Sequence, residues 1–439
     1  MPTGLEGVAA KAREDKNLVF TSLAHHITKE MIWENLKHIP NDSAVGIDGI
    51  DVKTAKETFN QWIDELMASI HRQCYKAPPV RRVWIPKPGK SEKRPIGVPC
   101  VADRALQRSV VQVLNAIYES DFLGCSFGGR PGIGQHNALA TMDRIIMGNK
   151  VNWVYEADLK NFFGSLDHGW LLRFVEHRVG DPRILSLIRR WLKAGVMEDG
   201  AFAESLLGTP QGGSISVLLS NLYLHYVLDL WFNKAIKPRL KGECYLVRYI
   251  DDFIVCFENK EDAERFVRVL VKRLSKFALT LELSKTRLIE FGRNAARNAK
   301  AKNSKPETLY FLGFTHYCGT NRKGNFKVGR RTEKSRLKRS INKLQDRMRE
   351  IRHWTVGEQI GIINQMLRGH YNYYGMGGNY QALAKVYHET KKFLKKMLSS
   401  RSWKGNVTWE LFDLIMEKIP ILRPFIKIPY SSFVKYAML

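Results

Sequence analysis

Apolar and polar positions recur along the chain with periods that assign most stretches to a helix or a strand. Residues 17–75 read as helical, interrupted by a turn at "PNDSAVGIDG" (40–49). The segment "VRRVWIPKPGKSEKRPIGVP" (80–99) predicts a β-hairpin: a strand at 81–85, a polar turn at 88–93 and a returning strand. Helices are expected at 101–122 and 133–148, a strand at 151–159, and helices across 168–194. The most apolar long stretch is "GSISVLLSNLYLHYVLDLWF" (213–232). Asn221, His225 and Asp229 interrupt it, so it reads as a buried helix and not as a membrane span. In "YLVRYIDDFIVCF" (245–257) two β-branched or aromatic runs flank Asp251 and Asp252, which predicts a hairpin with acids at its tip. A helix at 260–278 and short strands near 281–291 and 308–316 follow. Over 322–349, Leu337, Ile341, Leu344, Met348 and Ile351 recur at helical spacing, giving an amphipathic helix with an apolar stripe. Two further helices, at 357–371 and 378–398, complete a three-helix unit, and 401–439 forms a short tail.

Composition changes this picture in one respect. Hydrophobic content of 44% and charged content of 26% are ordinary for a globular chain of 439 residues, enough for two to four structural units. The charge balance is not ordinary: 70 Lys and Arg against 43 Asp and Glu leave +27. Residues 322–349 alone hold twelve Lys or Arg and only two acids, Glu333 and Asp346. A surplus of one sign points to a polyanion, nucleic acid before an anionic membrane surface. The six cysteines form no C-x-x-C pair and the twelve histidines no H-E-x-x-H, which argues against a structural zinc or a metalloprotease and for reduced thiols. The first 30 residues carry no apolar signal segment, so a cytoplasmic location is expected.

The adjacent acids need an explanation. Two ionised carboxylates in a half-buried turn repel each other, and one should protonate unless a positive charge lies between them. Mg²⁺, which takes hard oxygen ligands from one or two carboxylates plus substrate phosphates, supplies that charge. An isolated Asp-Asp equally makes a solvated turn. Asp158, however, stands at the end of the strand in "YEADLKNFFGSLDH" (155–168), where it serves either as an N-cap or as a third carboxylate at the same sheet edge. Gly208, Gly212 and Gly213 in "GTPQGG" allow close backbone approach to a ligand, Gln211 offers an amide, and Arg82, Lys87, Lys93 and Arg94 of the basic hairpin could reach a triphosphate.

In order, "RRVWIPKPGKSEKRPIGVP", "SFGGRPGIGQHNAL", "YEADLKNFFGSLDH", "GTPQGGSISVLLSNLYLH", "RYIDDFIVCF" and "YFLGF" resemble the fingers and palm motifs of reverse transcriptases, above all those encoded by group II introns. The likeness runs from about residue 18 to 400, and "LRGHYNYYG" (367–375) is similar to the family's thumb or maturase segment. The resemblance implies an α+β right-hand polymerase, with fingers, a palm built on an antiparallel sheet and a helical thumb. It implies an N-terminal extension with a first motif over 1–50, fingers and palm over 51–320, a thumb over 321–400, and a tail over 401–439 without an endonuclease. By the same resemblance Asp158, Asp251 and Asp252 hold Mg²⁺, with Mn²⁺ as an alternative, and the Leu159 carbonyl is a further oxygen. Lys87 and Arg94 grip the nucleotide phosphates, Gln211 lines the nucleotide pocket, and Phe163 lies under the sugar, where it leaves no room for a 2′-hydroxyl. The implied partners are an RNA or DNA template-primer and dNTPs, without a membrane; a homodimer stays open.

Two features depart from the family. Ile250 stands where intron-encoded enzymes usually carry Ala, and its bulk lies where a primer end should sit. Ile there is similar to a free-standing group II intron-like subfamily linked to repair of DNA breaks by microhomology-mediated end joining. The tail also lacks the Cys and His pairs of the family's DNA endonuclease. The expectation is a template-directed DNA polymerase serving repair. The alternatives are a group II intron maturase acting as an RNA-binding splicing cofactor, and a defence-associated polymerase.

Overall fold

A computed structural model describes residues 4–86, 92–198, 201–203, 207–209, 212–401 and 406–438. Its strands are β1 (Val80–Pro86), β2 (Lys93–Val98), β3 (Trp153–Ala157), β4 (Val196–Glu198), β5 (Ala201–Ala203), β6 (Cys244–Tyr249), β7 (Asp252–Phe257), β8 (Arg287–Glu290), β9 (Thr308–Phe311), β10 (Phe314–Thr320) and β11 (Phe326–Thr332). They form three sheets, ordered β2-β1-β4-β5, β6-β7-β3-β8 and β11-β10-β9. The chain divides into two compact units: residues 1–138, 157–255 and 261–287, and residues 139–156, 256–260 and 288–439.

In the first unit the predicted basic hairpin forms, with β1 and β2 antiparallel from Arg81↔Val98 to Pro86↔Lys93. Its far edge was not foreseen. β1 also pairs parallel with β4, and β4 with β5; strands of three residues leave too short an alternation to read. The helical stretch 168–194 is two helices, His168–Glu176 and Pro182–Lys193. Asp181 caps the second by accepting from the Arg183 amide, with Pro182 at its first position, a start signal that outweighs the apolar periodicity. The core lies around the helices Val101–Tyr118 and Ser214–Leu224, where Leu106, Val110, Val113, Leu114 and Leu222 are fully buried. The helical run Ser214–Arg239 is long and apolar enough to cross a bilayer, yet 78% of its apolar window is buried within the protein. Beyond Leu224 it widens into π-helical turns at His225–Asp229 and Phe232–Ile236.

In the second unit the amphipathic helix begins later than expected. Residues 326–332 form β11 against β10, and the helix runs from Lys334 to Glu350. Val328, Gly329, Arg330 and Thr332 are buried and Arg331 is exposed, so the segment packs as a strand paired with β10 rather than as the first turns of a helix. Leu344, Met348 and Ile351 of the predicted stripe are buried against this unit. The helices Val356–Tyr374 and Tyr380–Ser399 follow, the first opened by a Thr355/Glu358 capping box. All six cysteines are free thiols.

Candidate active site

Only Ile250 and Asp251 separate β6 from its sheet neighbour β7, so the two pair antiparallel through a tight turn. Ile250 has φ 58°, a left-handed conformation that is rare for a β-branched side chain. On the other side of β7 lies β3. The Asn152 amide donates to the Phe257 carbonyl at 3.0 Å, joining the start of β3 to the end of β7. Counting along this antiparallel pair brings Asp158 level with Asp251. Next in the sheet, the Glu282 amide donates to the Asp158 carbonyl at 2.8 Å. The helical turn Leu283–Lys285 follows, and the Lys285 ammonium forms an ion pair with the Asp158 carboxylate.

The electrostatics follow from this convergence. Burial pushes the Asp251 carboxyl above its ordinary range and the Asp158 charge pushes it further, while Arg94 and Lys285 pull it back. For Lys285, burial works to lower the pKa, but the hydrogen bond and charge of Asp158, with Asp252 behind it, raise it overall. Asp252 is exposed and Asp251 half-buried. Among the described residues no three His, Cys, Asp or Glu side chains stand close enough to hold a metal ion; Lys285 is the cation against Asp158. The donor set nevertheless fits a divalent ion: hard carboxylate oxygens, one of them pushed above its ordinary range by burial and by its neighbour, a penalty that a cation would relieve.

Beneath the turn is a buried network. Arg248, on β6, and Asp229 are both fully buried. Arg248 donates from Nε and Nη2 to the two Asp229 carboxylate oxygens at 2.8 and 2.6 Å, a bidentate pair. It also donates to Asn221 Oδ1 at 2.9 Å, to Ser126 Oγ at 2.7 Å and to the Ile250 carbonyl at 2.9 Å. The Asn221 amide in turn donates to the Gly128 carbonyl at 2.6 Å. A Cβ on Gly128 would lie 2.6 Å from Ile250 Cγ1 and 2.8 Å from the Ile250 nitrogen. The back of the turn is therefore packed against this loop, and the Ile250 carbonyl is fixed by a buried guanidinium. Sequence reasoning missed Arg248, Ser126 and Lys285 as positioning residues. Asn221 and Asp229 had a signal, as polar groups inside an otherwise apolar helix.

The remaining expected residues are placed unevenly. Arg94, on β2, is exposed and contributes positive potential at Asp251. Leu159 is buried and bridges Leu281; the flanking hydrogen bonds use the Asp158 carbonyl and the Lys160 amide, leaving the Leu159 carbonyl out of them. Phe162 takes the core position, 2% exposed, while Phe163 is half-buried with its ring 5.5 Å from that of Phe162. The glycines are closely packed by the chain itself. A Cβ on Gly208 would strike the backbone of Phe163 and Gly164, one on Gly212 the Gly97 carbonyl, and one on Gly213 the Gln107 side chain. Their lack of a side chain is used for packing of chain on chain. Lys87 and Gln211 lie outside the described residues.

Comparison with known proteins adds an independent finding. Residues 85–316 match the family described as reverse transcriptase (RNA-dependent DNA polymerase). The chain is 27% identical to the group II intron-encoded protein LtrA of Lactococcus lactis subsp. cremoris, over 86% of this chain and 74% of that protein. It is 30% identical to protein YkfC of Escherichia coli K12, over 54% of this chain and 70% of that protein. It is also 30% identical to an uncharacterized 91 kDa protein in a cob intron of Schizosaccharomyces pombe, over 52% of this chain and 28% of that protein.

Proposed function

Because this chain belongs to the reverse transcriptase (RNA-dependent DNA polymerase) family, as a group II intron-like member, we propose that it extends primer 3′ ends with dNTPs on RNA or DNA templates and serves repair of DNA breaks by microhomology-mediated end joining. The observation that carries the site is the convergence of Asp158 with the Asp251–Asp252 turn, where burial first and the Asp158 charge second raise the Asp251 pKa. Asp158, Asp251 and Asp252 would hold Mg²⁺, or Mn²⁺, with the Leu159 carbonyl as a further oxygen. When bound, such ions would supply neutralisation of the charge that develops in phosphoryl transfer. For Asp158 to serve as a ligand, its ion pair with Lys285 would have to open. Lys87 and Arg94 hold the triphosphate, Gln211 the nucleotide, and Phe163 fills the space a 2′-hydroxyl would need. The primer 3′-hydroxyl attacks the α-phosphate and pyrophosphate leaves, accelerated by positioning and charge neutralisation.

Asp251→Ala should lower primer extension by at least about 10³-fold while template-primer binding persists, since the basic surface is untouched. Extension retained by this variant in a gel assay would remove the metal-site assignment. The repair reading rests on Ile250. Ile250→Ala should shift activity toward long primer extension and away from joining of ends with a few complementary bases. The two tasks are compared on the same preparation, and an unchanged ratio between them counts against the reading. The names of the intron-encoded relatives favour a second reading, a splicing cofactor. A gene lying inside a group II intron would support it, and a gene standing alone would support repair.

A further inference from the structure

A second feature of the first unit is built from residues distant in the chain from these acids. A cleft of about 660 Å³ is lined by Lys76, Arg189, Arg190, Lys193 and Phe202, with Pro79 and neighbouring residues, and no acid is among them. Arg190 is held across it: Nη2 donates to the Gln73 carbonyl at 2.7 Å and Nε to Ser186 Oγ at 3.3 Å. Arg189 pairs with Glu176, outside the lining, at 2.7 Å. Lys76 and Lys193 are exposed and take no part in any of the ion pairs among the described residues. Phe202 is 53% exposed. Its ring lies where a Cβ on Gly195 would be, 2.5 Å away, and Gly195 has φ +71°, so glycine is what allows an aromatic wall here.

We infer that this cleft binds a single-stranded arm of the template-primer, its phosphates on Lys76, Arg190 and Lys193 and a base on Phe202. The inference rests on the proposed use of a nucleic-acid template. Cations without acids select a polyanion, and a basic groove with an exposed aromatic is the arrangement that takes unpaired bases. The volume is that of a small-ligand cleft, enough for part of one strand and not for a duplex. Its place also fits. Pro79 lines the cleft and Val80 opens β1, whereas Arg94, the cation felt by Asp251, pairs with Ile85. Five strand residues separate the two points, roughly 17 Å, or about five stacked nucleotide steps. An arm shorter than that does not reach from one to the other.

The test is the double variant Lys76→Ala/Lys193→Ala, which removes two exposed cations without an ion pair among the described residues and should leave the melting temperature unchanged. Fluorescence anisotropy over a salt series is read on two duplexes, one with an arm of a couple of nucleotides and one with an arm well beyond about five, in each polarity. Affinity for the long-arm substrate should fall on the order of 3–10-fold, with its log–log salt slope reduced by about 1.4, while the short-arm duplex binds as before. Phe202→Leu should weaken the long arm about fivefold with no change in slope. Equal losses on both substrates, or no loss on either, would overturn the inference, as would displacement of the arm by a mononucleotide alone. Failure of the unaltered chain to extend a primer would speak against the polymerase reading and not against the cleft, because the binding readout needs no catalysis.

Discussion

At position 250 a β-branched residue occupies φ 58°, a conformation that costs on the order of 1–3 kcal/mol and persists only where surroundings over-determine it. The surroundings here are Gly128, whose missing side chain leaves room for Ile250, and Arg248, which holds the Ile250 carbonyl. Gly128→Ala therefore tests how tightly the turn is placed. The added Cβ would lie 2.8 Å from the Ile250 nitrogen as well as 2.6 Å from Cγ1, so the backbone itself must move. Single-turnover synthesis should fall by roughly 10²-fold for a displacement approaching 1 Å, and the melting temperature should fall with it, since overpacking a buried site costs about 1–3 kcal/mol. Adding Ile250→Ala should recover only part of the loss, because the nitrogen remains in the way; full recovery would show that only the side chains clash. The acids of this turn were legible in sequence as two like charges between apolar runs. Lys285 was not, since its partner Asp158 lies 127 residues away and a lysine in a polar segment gives no periodic signal.

At the scale of elements, the hairpin, its neighbour β3 and the long apolar helix were foreseen, but the coupling between them was not. The π-helical turn His225–Asp229 carries Asp229, which meets Arg248 on β6 with both side chains fully buried. Removing one member of such a pair strands the other charge in the core. Asp229→Ala should cost about 3–5 kcal/mol, seen as a lowered denaturation midpoint, and synthesis should fall with it because the Ile250 carbonyl loses its fixed donor. Ser126→Ala removes one neutral acceptor and should cost only about 1 kcal/mol. Similar values for the two would mean that the pair is not the organising contact. The strand β11 shows the opposite limit of sequence reading. A run rich in Lys and Arg before an amphipathic helix looked like its first turns, yet pairing with β10 from Phe314↔Thr332 to Thr320↔Phe326 made it a strand, because edge-strand pairing depends on a partner that local pattern does not name.

At the scale of the molecule, acid should act through buried neutral histidines in both units; in the first, burial lowers the His225 pKa. In the second unit, burial lowers the His370 pKa to about 4 and takes His316 well below its ordinary value, with Arg330 adding to the effect. His370 Nε2 is buried without a hydrogen-bond partner, and its ring lies 4.8 Å from that of Tyr374. A histidine with a depressed folded pKa gives stability that is complete above its unfolded value of about 6.5 and is lost as pH falls toward 4. For His370 the loss approaches about 3 kcal/mol at pH 4. The thermal transition should shift to lower temperature between pH 6.5 and 4, and His370→Phe should reduce that dependence; an unchanged pH profile in the variant would contradict neutral burial of His370. What the sequence determined by itself was the order of the motifs, the surplus of positive charge, the period of most elements and the placing of Asp251 and Asp252 between two apolar runs, at a hairpin tip. Each of these depends on residues close together in the chain, whose backbone preferences and apolar spacing act locally. Tertiary structure decided which side chains meet: Asp158 with Lys285, Arg248 with Asp229 and the turn it holds, and β1 with β4. Those contacts join residues distant in sequence, and they exist only once packing has brought both partners out of water at the same place.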